Sequence, residues 1–266
     1  MQKSTEFYDA YITGNIETVK KFLDDNPTWD VNEGLNWYGR TALQLACRAD
    51  RHEVVSLLLT HPQINVNHVD ERGSTPFFLG CWHINLEVVK VLLLDSRVDI
   101  NIANNNGCTP LWCASYWRNV ELIKWMIASG RDLDLDEKAK HWDDKEYTPI
   151  EIARNQTHAE VVSLLERFTE NQAQTRHEVR IELGLVDVLA AELFALTVLL
   201  CDDYLRIIKS DERPQVARFF RIASRLPMEL QMMLCNRVYG SAKENVPTKN
   251  SEPAFQHLAS LYHTEK

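Results

Sequence analysis

The strongest constraint on this chain is an internal repeat. Four stretches share one register, and their threonines are 34, 34 and 39 residues apart: Thr41, Thr75, Thr109 and Thr148. A more divergent copy begins earlier, at Thr5. Twelve residues after each threonine stands a glutamate: Glu17, Glu53, Glu87, Glu121 and Glu160. Units of this size cannot bury an apolar side alone, so they must stack side by side into a solenoid.

Each unit carries the signals of two short helices. Thr-Pro predicts an N-cap followed by proline in the first helical position. Small and apolar residues then form one stripe, as at Leu43, Ala46 and Cys47. The glutamate opens a second apolar helix, where the helix dipole favours an acid. Turn formers follow each pair, such as Asp70 to Gly73 and Asn104 to Gly107, and they predict a short hairpin between units.

These residues resemble the ankyrin repeat. The stretch STPFFLGCWHINLEVVKVLLL (74–94) is similar to that family's T-P-L-H-x-A and V-V-x-L-L-L pattern. The resemblance covers residues 1–168 and implies an all-α solenoid with short β-hairpin loops and no enzymatic activity. The five implied repeats lie near residues 5–33, 34–68, 69–102, 103–135 and 142–168. Two departures stand out: Glu6 and Phe7 replace Pro and Leu in the first copy, and five extra residues fall within 130–147.

The repeat register sorts an unusual cluster of aromatic residues. Trp125 stands where other copies have Val91 and Leu164, so it is predicted to lie in the core. Residues three and seven places after each threonine share another helix face, because residues four apart are neighbours on a helix. The rings on or next to this face are Phe78, Trp82, Trp112, Tyr116 and Trp117. Together they predict one contiguous, exposed apolar patch, and such a patch on a soluble protein usually marks a partner site.

In ankyrin proteins, this face and the hairpin tips line the concave surface that holds partners. The resemblance therefore implies that a protein or peptide binds through the following residues: Trp37, Tyr38, Arg40, Arg48, Arg72, Phe78, Trp82, His83, Trp112, Tyr116, Trp117 and Tyr147. The acidic surroundings suggest a partner with basic and apolar anchors. The alternative is that the C-terminal region of the chain itself folds back and buries the rings.

The C-terminal third, 177–266, is predicted to form a separate helical subdomain that caps the stack. A long helix over 177–210, bent at Gly184, is apolar nearly all round at its centre and therefore requires burial. Further helices are predicted over 213–224, 227–240 and 253–263. The polar segment 169–178 marks the boundary between the two domains.

One stretch of this region suggests a second function. LPMELQMMLCNRV (226–238) resembles the opening of an F-box, a module that docks substrate receptors onto a cullin-type ubiquitin ligase. The docking residues would be Leu226, Pro227, Glu229 and Leu230. A helix that begins at proline for purely structural reasons looks the same. Adaptor function is therefore the alternative to a simple interaction scaffold.

Composition excludes several other classes of protein. The formal net charge is −9 and the acidity lies mostly in residues 1–168, which argues against nucleic-acid binding. The apolar run 184–200 is short for a membrane span and contains Asp187 and Glu192. Scattered cysteines and the absence of an apolar signal segment suggest a reducing compartment, the cytoplasm or else the nucleus. The oligomeric state is left open, with a monomer as the first expectation.

Sites for a cofactor or a metal are not expected. The acidic run DLDLDE (132–137) lacks the glycine of a calcium loop and is interpreted as a solvated hairpin extension. The nearest cysteine and histidine pairs lack the spacing of a zinc site. The sequence also shows no set of nucleophile, base and orienting residue that would indicate an active site. A thiol or metal enzyme remains a distant alternative.

Overall fold

The computed structural model describes residues 2–186 and a few residues beyond them: 188, 190, 193, 194, 196, 231, 232, 234, 235 and 254. The chain divides into two compact units, 1–175 and 176–266. No helix in the described ranges is long and apolar enough to cross a membrane.

The first unit is built from five antiparallel helix pairs. The pairs, in chain order, are α1 (Gln2–Thr13) with α2 (Ile16–Asp25), α3 (Ala42–Arg48) with α4 (His52–Leu59), α5 (Pro76–Trp82) with α6 (Leu86–Leu94), α7 (Pro110–Tyr116) with α8 (Val120–Ala128), and α9 (Pro149–Asn155) with α10 (Ala159–Glu170). The first helices contact one another in order, as do α2, α4, α6 and α8, so the pairs form two parallel rows. The predicted all-α solenoid of helix pairs is confirmed.

Threonine caps fix where the first helices begin. Thr75 Oγ1 accepts a hydrogen bond from the backbone N–H of Phe78. Thr109 Oγ1 accepts one from the backbone N–H of Trp112. Thr41 and Thr148 make full capping boxes, in which the side chains of Gln44 and Glu151 accept the threonine amides in return. Losing such a cap typically costs about 1 kcal/mol, so the recurring threonine sets the register of the second to the fifth unit. The first unit differs, because α1 begins at Gln2, before Thr5.

The predicted core stripe lies between the two rows of helices. Leu43, Ala46 and Cys47 of α3 are fully buried, as are Phe77 and Cys81 of α5. Trp125 departs from the prediction: it is only half-buried, and the ammonium of Lys90 lies 4.7 Å from its ring centroid. Val91, at the equivalent position of the preceding unit, is half-buried as well, so this position lies at the edge of the core.

Asparagine side chains tie successive pairs together. Each of these side chains makes two hydrogen bonds to the next unit: its Nδ2 donates to a backbone carbonyl, and its Oδ1 accepts a bond from a backbone N–H. The residues are Asn32, Asn67 and Asn101. For example, Asn67 Nδ2 donates to the carbonyl of Arg97. Both backbone groups would otherwise lack a partner. The sequence motifs INVN and DINI therefore act between repeats.

The loops that join the pairs form a row of tips along the first helices. One tip bonds to the next: the amide of Glu71 donates to the carbonyl of Tyr38, and the amide of Asn105 donates to that of Arg72. Gly73 has φ +73°, and a Cβ there would collide with Asn105. Glycine is therefore required where neighbouring tips meet.

The predicted β-hairpins are only partly present. Within residues 2–186, one tip forms a two-stranded antiparallel sheet, β1 (Ala139–Lys140) with β2 (Glu146–Tyr147), in the register Ala139 with Tyr147. The other tips are turns closed by a side chain, as where Asp70 Oδ1 accepts the amides of Arg72 and Ser74. The strands appear where the extra residues lengthen the loop.

The boundary segment is helical. α10 ends at its C-cap residue, Asn171, and α11 (Gln172–Glu182) follows directly. α11 ends two residues before Gly184, which has φ +69° and stands where the bend of the helix over 177–210 was predicted. Beyond it, residues 186, 188, 190, 193, 194 and 196 are helical, and the rest of 187–210 lies outside the described residues. The predicted helices over 213–224, 227–240 and 253–263 lie outside the described residues, apart from a few isolated positions.

Candidate functional site

A continuous series of aromatic rings crosses the face of the first helices. Phe78 and Trp82 stack at 6.1 Å between centroids, and Trp82 meets Trp117 edge-on at 5.8 Å. Trp117 contacts Tyr116 at 4.9 Å, and Tyr116 stacks on Trp112 at 5.4 Å. Two adjacent repeats therefore share one aromatic surface, because α5 and α7 lie side by side.

Only part of this surface is accessible. Phe78 and Trp112 are each 3% exposed and pack in a core cluster with Cys108, Ala139 and Ile152. The expectation that both rings lie in an open patch is therefore wrong. Trp112 is also tied down by its indole Nε1, which donates to the carbonyl of Tyr147 at 2.9 Å.

The accessible rings belong to residues at the ends of the first helices and just beyond them. Trp82 and Tyr116 are half-buried, and Trp117 is 45% exposed. Of the five rings predicted to be exposed, these three are the ones that a partner can reach.

The predicted arginines lie in two different environments. Arg40 is 7% exposed, and its Nε donates to Asp70 Oδ2 at 2.9 Å, so it acts in packing rather than as a free binding group. Arg48 and Arg72 are exposed. The ring of Tyr38 lies between Arg40 and Arg72, whose guanidinium carbons are 5.0 and 4.8 Å from its centroid.

The tips and the first helices enclose a cavity of about 570 Å³, here called the first cavity. Its walls combine tip residues with residues at the end of α5. It brings together seven of the predicted site residues, which are Tyr38, Arg40, Arg48, Arg72, Phe78, Trp82 and His83. Partial burial lowers the pKa of His83, and the charges of Arg48 and Arg40 lower it further.

A second cavity of about 300 Å³ adjoins the first. The two cavities share Trp82, Trp142 and the tip residues Asn104 and Asn106. Trp112 and Tyr116 form the floor of the second cavity, and His141 lines its side. The two cavities and the neighbouring Trp117 are together called the aromatic groove.

Sequence reasoning missed Trp142, which lies between the two cavities. Its side chain is 81% exposed, and its Nε1 lies 3.4 Å from the hydroxyl of Tyr116. It stands at the tip of the loop that is lengthened by five residues (the extension), one residue after His141, whose backbone bonds repeat those of Asp70 and Asn104. Its structural equivalents are therefore Glu71 and Asn105, but the extra residues shift it out of the sequence register. A tryptophan in an otherwise charged segment, KAKHWDDKEY, was the signal that could have found it.

A polar cluster holds this extension against the aromatic groove. Asp143 accepts a 2.8 Å hydrogen bond from the hydroxyl of Tyr147 and lies 3.1 Å from His141 Nδ1. The bond from Tyr147 lowers the pKa of Asp143, and His141 adds to that shift. The His141 ring in turn packs 5.8 Å from the ring of Tyr116. Trp142 is thus positioned by its neighbours on both sides.

Two of the residues predicted to bind a partner lie outside the aromatic groove. Trp37 is 83% exposed and meets Tyr38 edge-on at 6.0 Å. Tyr147 lines a separate cavity with Glu151 and Arg154 and supports Trp112 through its backbone. Their role in binding a partner remains a prediction.

The described residues offer little for thiol or metal chemistry. Burial raises the pKa of Cys81 and of Cys113 well above the ordinary value and raises that of Cys108 to about 11, so their thiolates are scarce at neutral pH. In the described part of the chain, no three His, Cys, Asp or Glu side chains are grouped to hold a metal ion. In the acidic extension, Asp134 Oδ1 already accepts the amides of Asp136 and Glu137.

Stacked helix pairs with capped first helices and a row of tips define the class of repeat solenoids. A family model described as ankyrin repeats (3 copies) matches residues 7–104 and 81–175, which is more than half of the chain. The chain belongs to the ankyrin-repeat family, as its sequence indicated. No curated protein matches it. Ankyrin repeats are protein-interaction modules, so this chain contains a protein–protein interaction domain.

The residues predicted for adaptor docking, Leu226, Pro227, Glu229 and Leu230, lie outside the described residues. The F-box-like function therefore stays a prediction.

Proposed function

We propose that this chain is a non-enzymatic interaction protein that binds a partner protein or peptide in the aromatic groove. The proposal is based on one observation: the accessible aromatic rings line a concave part of the surface. Two adjoining cavities of about 570 and 300 Å³ share the exposed Trp142 and the half-buried Trp82. Tryptophan, tyrosine and arginine are the residues that contribute most to binding at protein interfaces.

The floor of the proposed groove and the base of its tips are held in place by buried residues. Trp112 and Phe78 are buried beneath it, and the Arg40–Asp70 pair fixes the base of the tips. A partner that docks on such a surface loses little free energy to reorganisation of the site. The buried rings thus support binding indirectly, although they are not open to the partner.

The charges of the groove differ from those of the whole chain. A basic anchor was predicted from the net negative charge, but the carboxylate that lines the second cavity, Asp144, already pairs with Lys140 of the same cavity at 2.8 Å. The neighbouring Asp143 accepts the hydrogen bond of the Tyr147 hydroxyl. A basic anchor of the partner, in addition to its apolar anchor, therefore stays a prediction. The proposal keeps the predictions of a monomeric chain and of the cytoplasm or the nucleus, reducing compartments that suit the free thiols of the described cysteines.

Affinity capture with the full chain tests the proposal. Partners captured by the wild type are compared by mass spectrometry with those captured by Trp82→Ala/Trp117→Ala and by Trp142→Ala. Trp142 is so exposed that its replacement leaves the fold intact, which guards against a loss caused by unfolding. The matched control is Leu94→Ala, at an 85% exposed apolar residue at the end of α6, in the second row.

The expected result is that specific partners are lost from both groove variants and retained by the control. If every partner stays bound to both groove variants while Leu94→Ala releases them, binding takes place on the other face and the proposal is wrong.

A further inference from the structure

We propose that the anchor that enters the first cavity is acidic: a peptide carboxylate next to a large apolar side chain. The carboxylate binds Arg48 and Arg72, and the apolar side chain lies between Trp82 and Trp142. This inference rests on the proposed function and specifies the chemistry of the partner at the same groove.

The first step is the local balance of charge. The first unit is acidic, yet three arginines and only one carboxylate residue, Glu71, line the first cavity. Arg40 is neutralised by its buried bond to Asp70. Two guanidinium groups, those of Arg48 and Arg72, therefore face one exposed carboxylate. The cavity has the opposite charge to the chain that surrounds it, which favours an anionic ligand.

The second step is that these two arginines have no acidic partner of their own. Among the described residues, neither Arg48 nor Arg72 forms an ion pair, whereas the comparable surface arginines Arg97 and Arg154 pair with Asp95 and Glu166. A guanidinium offers five N–H donors in a planar fork that matches a carboxylate. Their donors are therefore available to a ligand.

The third step is that Arg72 is held in place before any ligand arrives. Its guanidinium carbon lies 4.8 Å from the ring centroid of Tyr38, and its Nη2 is 3.5 Å from the hydroxyl of that residue. Arg40 packs on the same ring and is fixed by Asp70. Stacking on an aromatic ring restricts an arginine side chain, so less conformational entropy is lost on binding.

The fourth step places the apolar neighbour of the carboxylate. Trp82 and Trp142 form the boundary between the first and the second cavity, and Tyr116 lies below them in the second. A Phe, Trp or Leu side chain of the partner would occupy the second cavity while the adjacent carboxylate stays in the first. Charge thus sets the direction in which the peptide lies across the tips.

The test uses a library of random dodecapeptides displayed on phage and selected on the immobilised full-length protein. The expected motif is Asp or Glu within about three residues of Trp, Phe or Leu, since neighbouring residues of an extended peptide are about 3.3–3.6 Å apart. A synthetic peptide with the motif is then titrated against wild type, Arg48→Gln/Arg72→Gln and Trp82→Ala/Trp117→Ala. The control for loss of positive charge is Lys20→Gln/Lys21→Gln, at two exposed residues of α2.

We expect the Kd to rise at least tenfold for Arg48→Gln/Arg72→Gln and to stay unchanged for the lysine control. Replacing the acid of the peptide by its amide should weaken binding to the wild type by a similar factor, and 500 mM NaCl should weaken it relative to 50 mM, because salt screens exposed charges. Selected motifs without an acid, or equal Kd values for wild type and the arginine variant, would overturn the inference. A phosphoserine peptide that binds more than tenfold more tightly than its glutamate counterpart would assign the arginines to phosphate and overturn the carboxylate assignment.

The outcomes also separate the two proposals. If the tryptophan variant loses the peptide and the arginine variant keeps it, only the acidic anchor is wrong. If the tryptophan variant binds the peptide as well as the wild type does, the proposed groove itself is wrong. A selection that enriches no peptide over a bare surface counts against both.

Discussion

The indole Nε1 of Trp112 donates a hydrogen bond to the backbone carbonyl of Tyr147 at 2.9 Å, which joins the fourth repeat to the extension that precedes the fifth. Trp112 is 3% exposed and Tyr147 is half-buried, so this bond is partly shielded from water. One buried side chain therefore supports both the floor of the second cavity and the segment that carries Trp142.

Replacing this indole by a ring without a donor tests that relationship. Trp112→Phe leaves the carbonyl of Tyr147 without its partner, and an unsatisfied buried acceptor costs roughly 1–3 kcal/mol. We expect the free energy of unfolding, measured by urea denaturation, to fall by about that amount. The matched control is Trp37→Phe, at an 83% exposed ring, which should change stability by no more than about 0.5 kcal/mol. Equal effects at the two positions would contradict the role given to the bond.

The buried ion pair at the base of the tips gives a second prediction. Asp70→Asn keeps an oxygen that can accept the amides of Arg72 and Ser74, as Asn104 Oδ1 does for the next tip, but removes the charge opposite Arg40. Removing one partner of a buried pair typically costs about 3–5 kcal/mol. We expect a loss of that order in urea denaturation.

The control for Asp70→Asn is Asp95→Asn. Asp95 pairs with Arg97, whose side chain is 46% exposed, at 2.6 Å. An exposed pair contributes about 0–1 kcal/mol, so the control should be several-fold milder. A similar loss for both variants would mean that burial of Arg40 does not strengthen its dependence on the carboxylate.

A strained turn residue predicts a stabilising substitution. The loop between the two helices of each pair has one residue with positive φ: Gly14, Asp50, Ile84, Arg118 and Thr157. Ile84 is β-branched and has φ +62°, a region that such residues rarely adopt. Since its side chain is 47% exposed, little packing is lost when it is removed.

We expect Ile84→Gly to increase the free energy of unfolding by about 0.5–1 kcal/mol, because glycine relieves the strain but adds entropy to the unfolded chain. Ile84→Ala keeps the strained backbone and serves as the comparison. Thermal unfolding should rank glycine above alanine; the reverse order would show that this turn is not strained.

The lowered pKa of His83 predicts a dependence of stability on pH. Partial burial, followed by the charges of Arg48 and Arg40, disfavours the protonated ring in the folded protein. The pKa of a histidine in the unfolded chain is about 6.5. As pH falls through that value, His83 binds a proton in the unfolded chain more readily than in the folded chain, so stability falls. The contribution of His83 is therefore retained at pH 7.5 and reduced at pH 5.5.

Urea denaturation at pH 7.5 and 5.5, with wild type and His83→Gln in parallel, measures this effect. The variant should lose less stability on acidification than the wild type. An equal loss in both proteins would indicate that other groups account for the dependence on pH.

The family, the helix pairs and the position of most groove residues could be predicted from the sequence. The spacing of Thr41, Thr75 and Thr109 fixes where each first helix begins, because a capped start leaves little freedom in the register of the helix. Periodicity then determines which residues share a face, so Phe78, Trp82, Trp112 and Tyr116 were correctly grouped before their depths were known.

Only the tertiary structure decided which of these residues are accessible. Phe78 and Trp112 share a face with Trp82 and Tyr116, yet the first two are buried, because burial depends on what packs over each ring. A repeat period does not say where the extra residues of a lengthened loop are accommodated. Only the structure shows that Trp142 lies at a tip, between two cavities, at the position of Glu71 and Asn105. The net charge likewise could not show that Arg40 pairs with Asp70 while Arg48 and Arg72 stay open to a ligand.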